Sequence, residues 1–399
     1  MANNKKYWSG LDELDGTEAF KEIQAKEFQE QIPVDQFLAD ERHSSTTTGR
    51  RDFLKFMGFS LTAATLAACE TPVIKSIPYT NKPAEITPGV ANYYASTYYD
   101  GMDYSNVLVK TREGRPIFIK GNTSTGIGAG KVNSRVIGSV MSLYDKARLD
   151  GPTQNGNSTT WDDIDNAMTA AVSGTGRTVV LSNTIVSPST LKAIETLGAE
   201  HVQYDAISYS ALRVAQANAF GVNAVPSYHF SKAEVIVSIA ADFLNSWLSS
   251  TLYAPDYAVL RGPERGKQSK HFQFESAMTM TGTNADVRTM IKPSEEGKVA
   301  AGLLAALKGA TVSNLDAGVI KSINAAAKSL NSSKGKSLVV AGSNDLATQT
   351  IVAAINQQLG NYGSTLDLER PSMAYRGDDA SVSDLVKDMN SGKISTLIT

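Results

Sequence analysis

From Trp161 onward, short apolar runs alternate with helical patterns, and this alternation limits the fold more than any other feature of the chain. Strands are expected over 178–182, 201–204, 234–240, 271–274, 286–291, 337–341 and 394–398. Helices are expected over 161–172, 189–197, 210–220, 245–260, 295–307, 317–330, 347–359 and 381–389, the second and third closed by Gly198 and Gly221. Strands that read as nearly continuous apolar runs are buried on both faces, and helices between them supply the crossovers. The pattern therefore predicts an α/β fold with a doubly wound, mostly parallel sheet and flanking helices. Ligands of such sheets sit at the carboxyl ends of the strands. That rule makes Asn183, Asp242, Asn344 and Asp345 the candidate pocket residues. The competing reading of Asn344 and Asp345 is that they cap the helix that follows them.

Ahead of the alternating region the pattern differs. Residues 70–104 form an extended tether and a leading strand rich in Pro and Tyr. Residues 105–160 hold a hairpin, Val107-Leu108-Val109-Lys110-Thr111 and Pro116-Ile117-Phe118-Ile119-Lys120, with Gly114 in the left-handed position of its turn. A Gly-rich loop, 123–130, follows the hairpin. It is not a dinucleotide fingerprint, because no buried parallel strand leads into it. Residues 161–399 make up the α/β domain. Tyr93, Tyr94, Tyr98, Tyr99 and Tyr104 read either as a subunit interface or, by preference, as packing for the hairpin layer, and Trp247 is expected to pack the core. Arg261, Arg265, Lys267 and Lys270 read as a solvated basic loop.

Residues 50–69, RRDFLKFMGFSLTAATLAAC, carry two overlapping addresses. Arg50 and Arg51, followed by Phe53, Leu54 and Lys55, read as a twin-arginine export signal, a route for proteins already folded. The apolar run 53–68 is too short for a comfortable membrane span and ends in small residues. Leu66-Ala67-Ala68-Cys69 then reads as a lipobox, with Cys69 as the lipidation site. The expected location is the periplasmic face of a bacterial inner membrane, by a lipid anchor. The leader 1–49 is unusual for an export signal, with ten acidic residues against five basic ones.

Composition excludes several classes. A net charge of −2 argues against nucleic acid as a partner. The one cysteine, Cys69, excludes an intrachain disulfide and any multi-cysteine zinc or iron–sulfur site within these residues. Four scattered histidines show no metal-ligand spacing, so no metal and no catalytic residue is assigned. The final strand pattern has no turn after it, which leads to the expectation of a longer protein.

The order of these segments resembles the front of the molybdopterin oxidoreductase family. The resemblance rests on LVKTREGRPIFIKGN, SLYDKARLDGP and TWDDIDNAM, followed by α/β units. In that family the hairpin follows cysteines that ligate an iron–sulfur cluster, and a last cysteine stands before the LYDxxRL segment. Here residues 98–105 contain no cysteine, and Ser134 stands at the last ligand position. A neutral hydroxyl does not replace a thiolate on iron. The place of the family's Asp-Pro-Arg turn near the pterin nucleotide is taken by Phe274-Glu275-Ser276-Ala277, a departure that implies a degraded pterin site.

Upstream, KKYWSGLDEL and EFQEQIP resemble the leader of the exported molybdopterin-like subunit of bacterial alternative complex III. That resemblance implies a cofactor-less structural domain within a quinol:electron-acceptor oxidoreductase. No cofactor is expected within residues 1–399, and iron–sulfur clusters are implied in a further C-terminal half. The implied partners are a multihaem cytochrome, quinol-binding membrane subunits and a terminal oxidase. Two other readings stand beside it: an active molybdopterin oxidoreductase of the polysulfide-reductase type, and a periplasmic lipoprotein that binds a small solute.

Overall fold

Two strands with no polar side chain long enough to reach solvent organise the molecule. These are β9 (Val235–Ile239) and β12 (Ser337–Ala341), and every residue of both is buried. They pair in parallel, with Val237 opposite Val339. On its other edge β9 pairs with β10 (Lys270–Glu275), and β10 pairs with β11 (Val287–Met290), again in parallel. The resulting order is β11-β10-β9-β12. This computed structural model describes residues 21, 83–126, 128–174, 176–262, 266 and 268–399. The chain divides into units at 1–81 and 82–399, and all described residues but Lys21 fall in the second. The export-signal residues Arg50, Arg51, Phe53, Leu54 and Lys55, and Cys69, lie outside the described residues, as do Arg265 and Lys267.

Alternation along β9 sorts the core into two chemistries. Val235, Val237 and Ile239 face an aliphatic layer built from α7 (Glu296–Leu307) and α8 (Ala317–Ser332), with Leu303, Ile323 and Leu330 fully buried. Ile236 faces the opposite layer, which is aromatic: Tyr228, Phe230, Phe243, Trp247, Tyr253 and Tyr257. Phe230 stacks on Phe243 with centroids 4.3 Å apart, and Tyr228 meets the edge of Trp247 at 5.1 Å. Trp247 is therefore core, as expected.

A second parallel sheet has the order β14-β6-β7, from β14 (Ile394–Ile398), β6 (Arg177–Ser182) and β7 (Glu200–Gln203). Helix α2 (Trp161–Val172) precedes it, with the Thr160 hydroxyl accepting from Asp163 N. Helix α3 (Pro188–Leu197) crosses from β6 to β7 and ends at Gly198 in the left-handed conformation. The fold class is thus mixed α/β with parallel sheets and flanking helices, as the alternation predicts.

The hairpin also forms as read. β1 (Asn92–Tyr99), β2 (Tyr104–Arg112) and β3 (Arg115–Gly121) make an antiparallel sheet, turning at Glu113 and Gly114 with φ of 52° and 78°. The five early tyrosines divide. Tyr98 packs under the sheet and the Tyr99 hydroxyl donates to Ala374 O at 2.6 Å, whereas Tyr93 and Tyr94 are each 53% exposed.

Three features depart from the expectations. The helix expected over 245–260 is confined to α5 (Ser250–Ala258). The Asp242 carbonyl accepts from the N–H of Asn245, Ser246 and Trp247, closing a turn, and Leu248 then takes φ of 52°. Among strands of four or more residues two were not expected, β8 (Val225–Tyr228) and β13 (Leu366–Ser372), which pair antiparallel outside the parallel sheets. Each contains a proline, Pro226 or Pro371, which masks a strand in sequence and suits it to an edge. Finally, Arg261 is not merely solvated. Its guanidinium bonds Asp286 at 2.7 Å and lies over the Tyr257 ring. Among the described residues no helix is long and apolar enough to cross a membrane.

Candidate functional site

In the four-stranded sheet the chain runs outward from β9 to β10 and β11, while β12 lies on the other side of β9. The switch point therefore falls between β9 and β12, and the loops leaving both strands meet there. These loops hold Asp242, Asn344 and Asp345, so the structure brings together the segments singled out in the sequence. They leave little room between them. Gly342 N donates to Ile239 O at 2.9 Å, and a Cβ on Gly342 would lie 2.2 Å from Ala240 O. Ala240 itself takes φ of 54°. The side chain of Gln349, on α9 (Leu346–Gln358), donates to the carbonyls of Ala341 and Ser343 at 3.0 and 2.6 Å.

The named polar groups are engaged with the protein. Asp242, 8% exposed, accepts from Thr281 N at 3.1 Å, Thr281 Oγ1 at 2.7 Å and Ser246 Oγ at 3.0 Å. The Asn344 amide accepts from Ala211 N at 3.0 Å and donates to Asp379 at 2.9 Å, tying α4 (Ser210–Phe220) to α10 (Asp379–Asn390). Asp345 accepts from Thr348 N and Thr348 Oγ1 at 2.8 and 2.7 Å, which is the capping role considered from sequence. Asn183 is exposed and stands at the end of β6, in the other sheet.

The carboxyl end of β10 is filled by Glu275, which is 1% exposed. Its carboxylate accepts from Arg288 Nε at 2.5 Å, Thr279 Oγ1 at 2.6 Å and Gln273 Nε2 at 3.1 Å. Burial pushes this carboxyl up, but the donors on Thr279 and Arg288 outweigh it and hold the group below its ordinary range. The carboxylate also lies where a Cβ on Gly282 would be, 1.8 Å from Oε1. The place at which the resemblance implies a nucleotide-facing turn thus holds an inward-turned acid.

Ser134 opens the short helix α1 (Ser134–Gly138) and is exposed. Its neighbours join the two segments between which the resemblance implies a cluster. Arg135 Nη2 pairs with Asp103 at 2.8 Å, and Asn133 Nδ2 donates to the same Asp103 oxygen at 2.8 Å. Arg135 Nε lies 3.7 Å from Asp100. Asp103 is 1% exposed and its other carboxylate oxygen has no hydrogen-bond partner. Breaking this fastening leaves a buried charge unpaired, which is destabilising. Arg135→Ala is therefore expected to lower stability by about 1–3 kcal/mol, discounted for its partly exposed guanidinium. Asp103→Asn/Arg135→Ala should recover part of that loss, because the charge goes with its partner. Urea unfolding of both variants checks this, and equal losses would refute it.

A cleft with a volume of about 780 Å³ lies elsewhere. One wall is the Gly-rich loop, where Gly130 N donates to Asn122 O at 2.9 Å and Gly128 and Gly130 take φ of 59° and 72°. The opposite wall is the β8/β13 pair, with α5 alongside. Tyr228, Tyr253 and Tyr375 contribute aromatic surface, and Lys131, His229, Asp256, Asp367 and Arg370 contribute charge. His229 is pushed down by burial and by Lys232 beside it. Sequence reasoning singled out none of these charged residues except His229, which it noted as scattered. The signal was hidden with β8 and β13, since only their pairing brings 227–232 to 367–372. Among the described residues no group of three or more His, Cys, Asp or Glu is arranged to hold a metal ion.

No family model matches this chain, and no curated protein matches it. Solved structures do. A chain of the formyltransferase/hydrolase complex of Methylorubrum extorquens, solved with methylofuran, is similar at 16% identity over 61% of this chain and 73% of that one, with a TM-score of 0.41. Acetylene hydratase from Pelobacter acetylenicus is similar at 12% identity over 69% of this chain, with a TM-score of 0.46. The chain spans 42% of the acetylene hydratase chain.

Proposed function

We propose that this chain is a structural domain of the molybdopterin oxidoreductase type that carries no cofactor of its own, within the exported subunit of a bacterial alternative complex III. Lipid on Cys69 would hold it at the periplasmic face of the inner membrane. Its work would be to seat a further iron–sulfur half of the same protein against a multihaem cytochrome and quinol-binding membrane subunits, with a terminal oxidase downstream. The observation that carries this reading is the fastening of Asp103 by Arg135 and Asn133. In the family the two joined segments supply thiolates. Here they supply a carboxylate, a guanidinium, an amide and the exposed hydroxyl of Ser134, a donor set that does not suit an iron–sulfur cluster. The strand ends support the same reading, since Asp242, Glu275, Asn344 and Asp345 are all bonded to neighbouring protein groups.

The test is metal and pterin analysis of the full-length protein purified from its native membrane. Iron without molybdenum or released pterin is expected. Molybdenum near one per chain would overturn the proposal and favour an active oxidoreductase of the polysulfide-reductase type. One observation favours a second reading, a solute-binding lipoprotein: the cleft of about 780 Å³ beside the Gly-rich loop. That reading expects the protein to purify with no haem-containing partner.

A further inference from the structure

A second, smaller cleft of about 280 Å³ lies where β7, α4 and the segment after β13 converge. Arg213 and Arg376 line it, with Gln203, Asn223, Met373 and Tyr375. Its chemistry is lopsided. Arg213 is half-buried; its Nη1 donates to Gly377 O at 2.8 Å, but its Nε is sealed from solvent and has no acceptor. The Arg376 backbone N–H donates to Thr184 Oγ1 at 2.6 Å, while its guanidinium makes no ion pair or hydrogen bond. Both arginines thus line the cleft with no carboxylate bonded to either guanidinium.

The nearby acids do not fill that role. Asp205 is 7% exposed, and its oxygens accept from Thr184 N at 2.9 Å, Thr184 Oγ1 at 2.7 Å and Gly377 N at 2.8 Å. Asp378 accepts from Ala380 N at 3.2 Å and Ser381 Oγ at 2.6 Å, holding the start of α10. Both acids moderate the field at Arg213 without bonding to it. The remaining polar group is also a donor in waiting. Gln203 Oε1 accepts from Ile185 N at 3.1 Å, which leaves the Gln203 amide nitrogen unused.

A partly desolvated guanidinium with no bonded anion is costly, and two guanidinium groups lining one cleft repel. An oxyanion between them would relieve both, because planar guanidinium forks match carboxylate and phosphate oxygens in bidentate geometry. We propose that the Arg213/Arg376 cleft is a binding site for a small molecule bearing a doubly charged oxyanion, either a phosphate or a dicarboxylate. The two guanidinium groups would supply charge and the Gln203 amide a further donor. The site is separate from the Asp103 fastening and the switch point, so it stands whichever way the metal analysis falls.

Isothermal titration of the full-chain protein with inorganic phosphate and, separately, with malonate tests the proposal at matched ionic strength. Saturable binding of at least one anion is expected, weakened about tenfold or more in Arg376→Ala. The preferred anion tells a tetrahedral ligand from a planar one. Because the Arg376 guanidinium bonds nothing in the fold, this variant should keep the native unfolding midpoint. Arg376→Lys should recover charge but not the bidentate fork, leaving affinity between the two. Absence of saturable binding by both anions would overturn the proposal, as would equal binding by Arg376→Ala.

Discussion

Gly342→Ala is expected to cost about 3 kcal/mol or more of stability, at the upper end for adding one methyl group to a packed interior. The new Cβ would meet Ala240 O at 2.2 Å, Ala240 C at 2.8 Å and Ala241 Cα at 3.1 Å. These are backbone atoms at the end of a central, fully buried strand, so no side chain can swing away to make room. Ala240 is already in the left-handed region, and its amide is tied to Phe274 O at 2.7 Å. Relief would require the β9 and β12 loops to part, taking the Asp242 and Gln349 hydrogen bonds with them. Gly318→Ala is the matched control. It sits at the exposed start of α8 with open space where the Cβ would go, and it should gain up to about 1 kcal/mol from helix propensity. Urea unfolding midpoints at constant m-value decide the comparison. Similar stability for Gly342→Ala and the parent would show that the switch-point loops are not packed as described.

Acid is expected to remove on the order of 3 kcal/mol of stability between pH 6.5 and 4 through one buried histidine. His271 is fully buried on β10, and burial pushes it down to about 4. The groups facing it are Tyr257, whose hydroxyl lies 3.2 Å from Nδ1, and Gln273, 3.3 Å from Nε2, with Arg261, Asp286 and Glu275 around them. The unfolded chain binds a proton at His271 from about pH 6.5 downward, and the folded chain does not until about pH 4. Between those values the unfolded state binds more protons, so stability is complete above pH 6.5 and falls as pH falls. Glu275 and Asp286, both held below their ordinary ranges, lose their contributions in the same direction at still lower pH. His271→Gln should flatten the decline between pH 6.5 and 4 while leaving the more acidic part in place. An unchanged slope in that variant would show that His271 does not carry the acid response.

Much of the fold was legible because it is written in short-range pattern. The runs at 235–239 and 337–341 are apolar but for Ser238 and Ser337, and so short a run with so little alternation suits a strand buried on both faces. Gly114, Gly198 and Gly221 marked ends that the backbone realises with positive φ. Asp345 could be read as a cap from its place before a helix, and it is one. The strands β8 and β13 were illegible because a proline interrupts each, and their pairing spans more than a hundred residues. The shortened α5 was hidden for a related reason. Asn245, Ser246 and Ser249 weaken a helix without forbidding one, and what excludes it is the Asp242 carbonyl, which captures three amide protons there, with Leu248 turned left-handed.

The sites divide along the same line. Residue type and position were enough to put Asp242, Asn344 and Asp345 at strand ends, and to show that Ser134 cannot act as a thiolate. What those residues touch was decided only in three dimensions. Thr281 reaches Asp242 across 39 positions, Ala211 reaches Asn344 across 133, and Gly377 receives Arg213 across 164. By itself the sequence determined most of the strands and helices, though not β8, β13 or the start of α5, because periodicity and local hydrogen bonding act over a few residues. The tertiary structure alone decided which polar groups are satisfied and which are left waiting, because a buried hydrogen bond depends on where distant backbone happens to end.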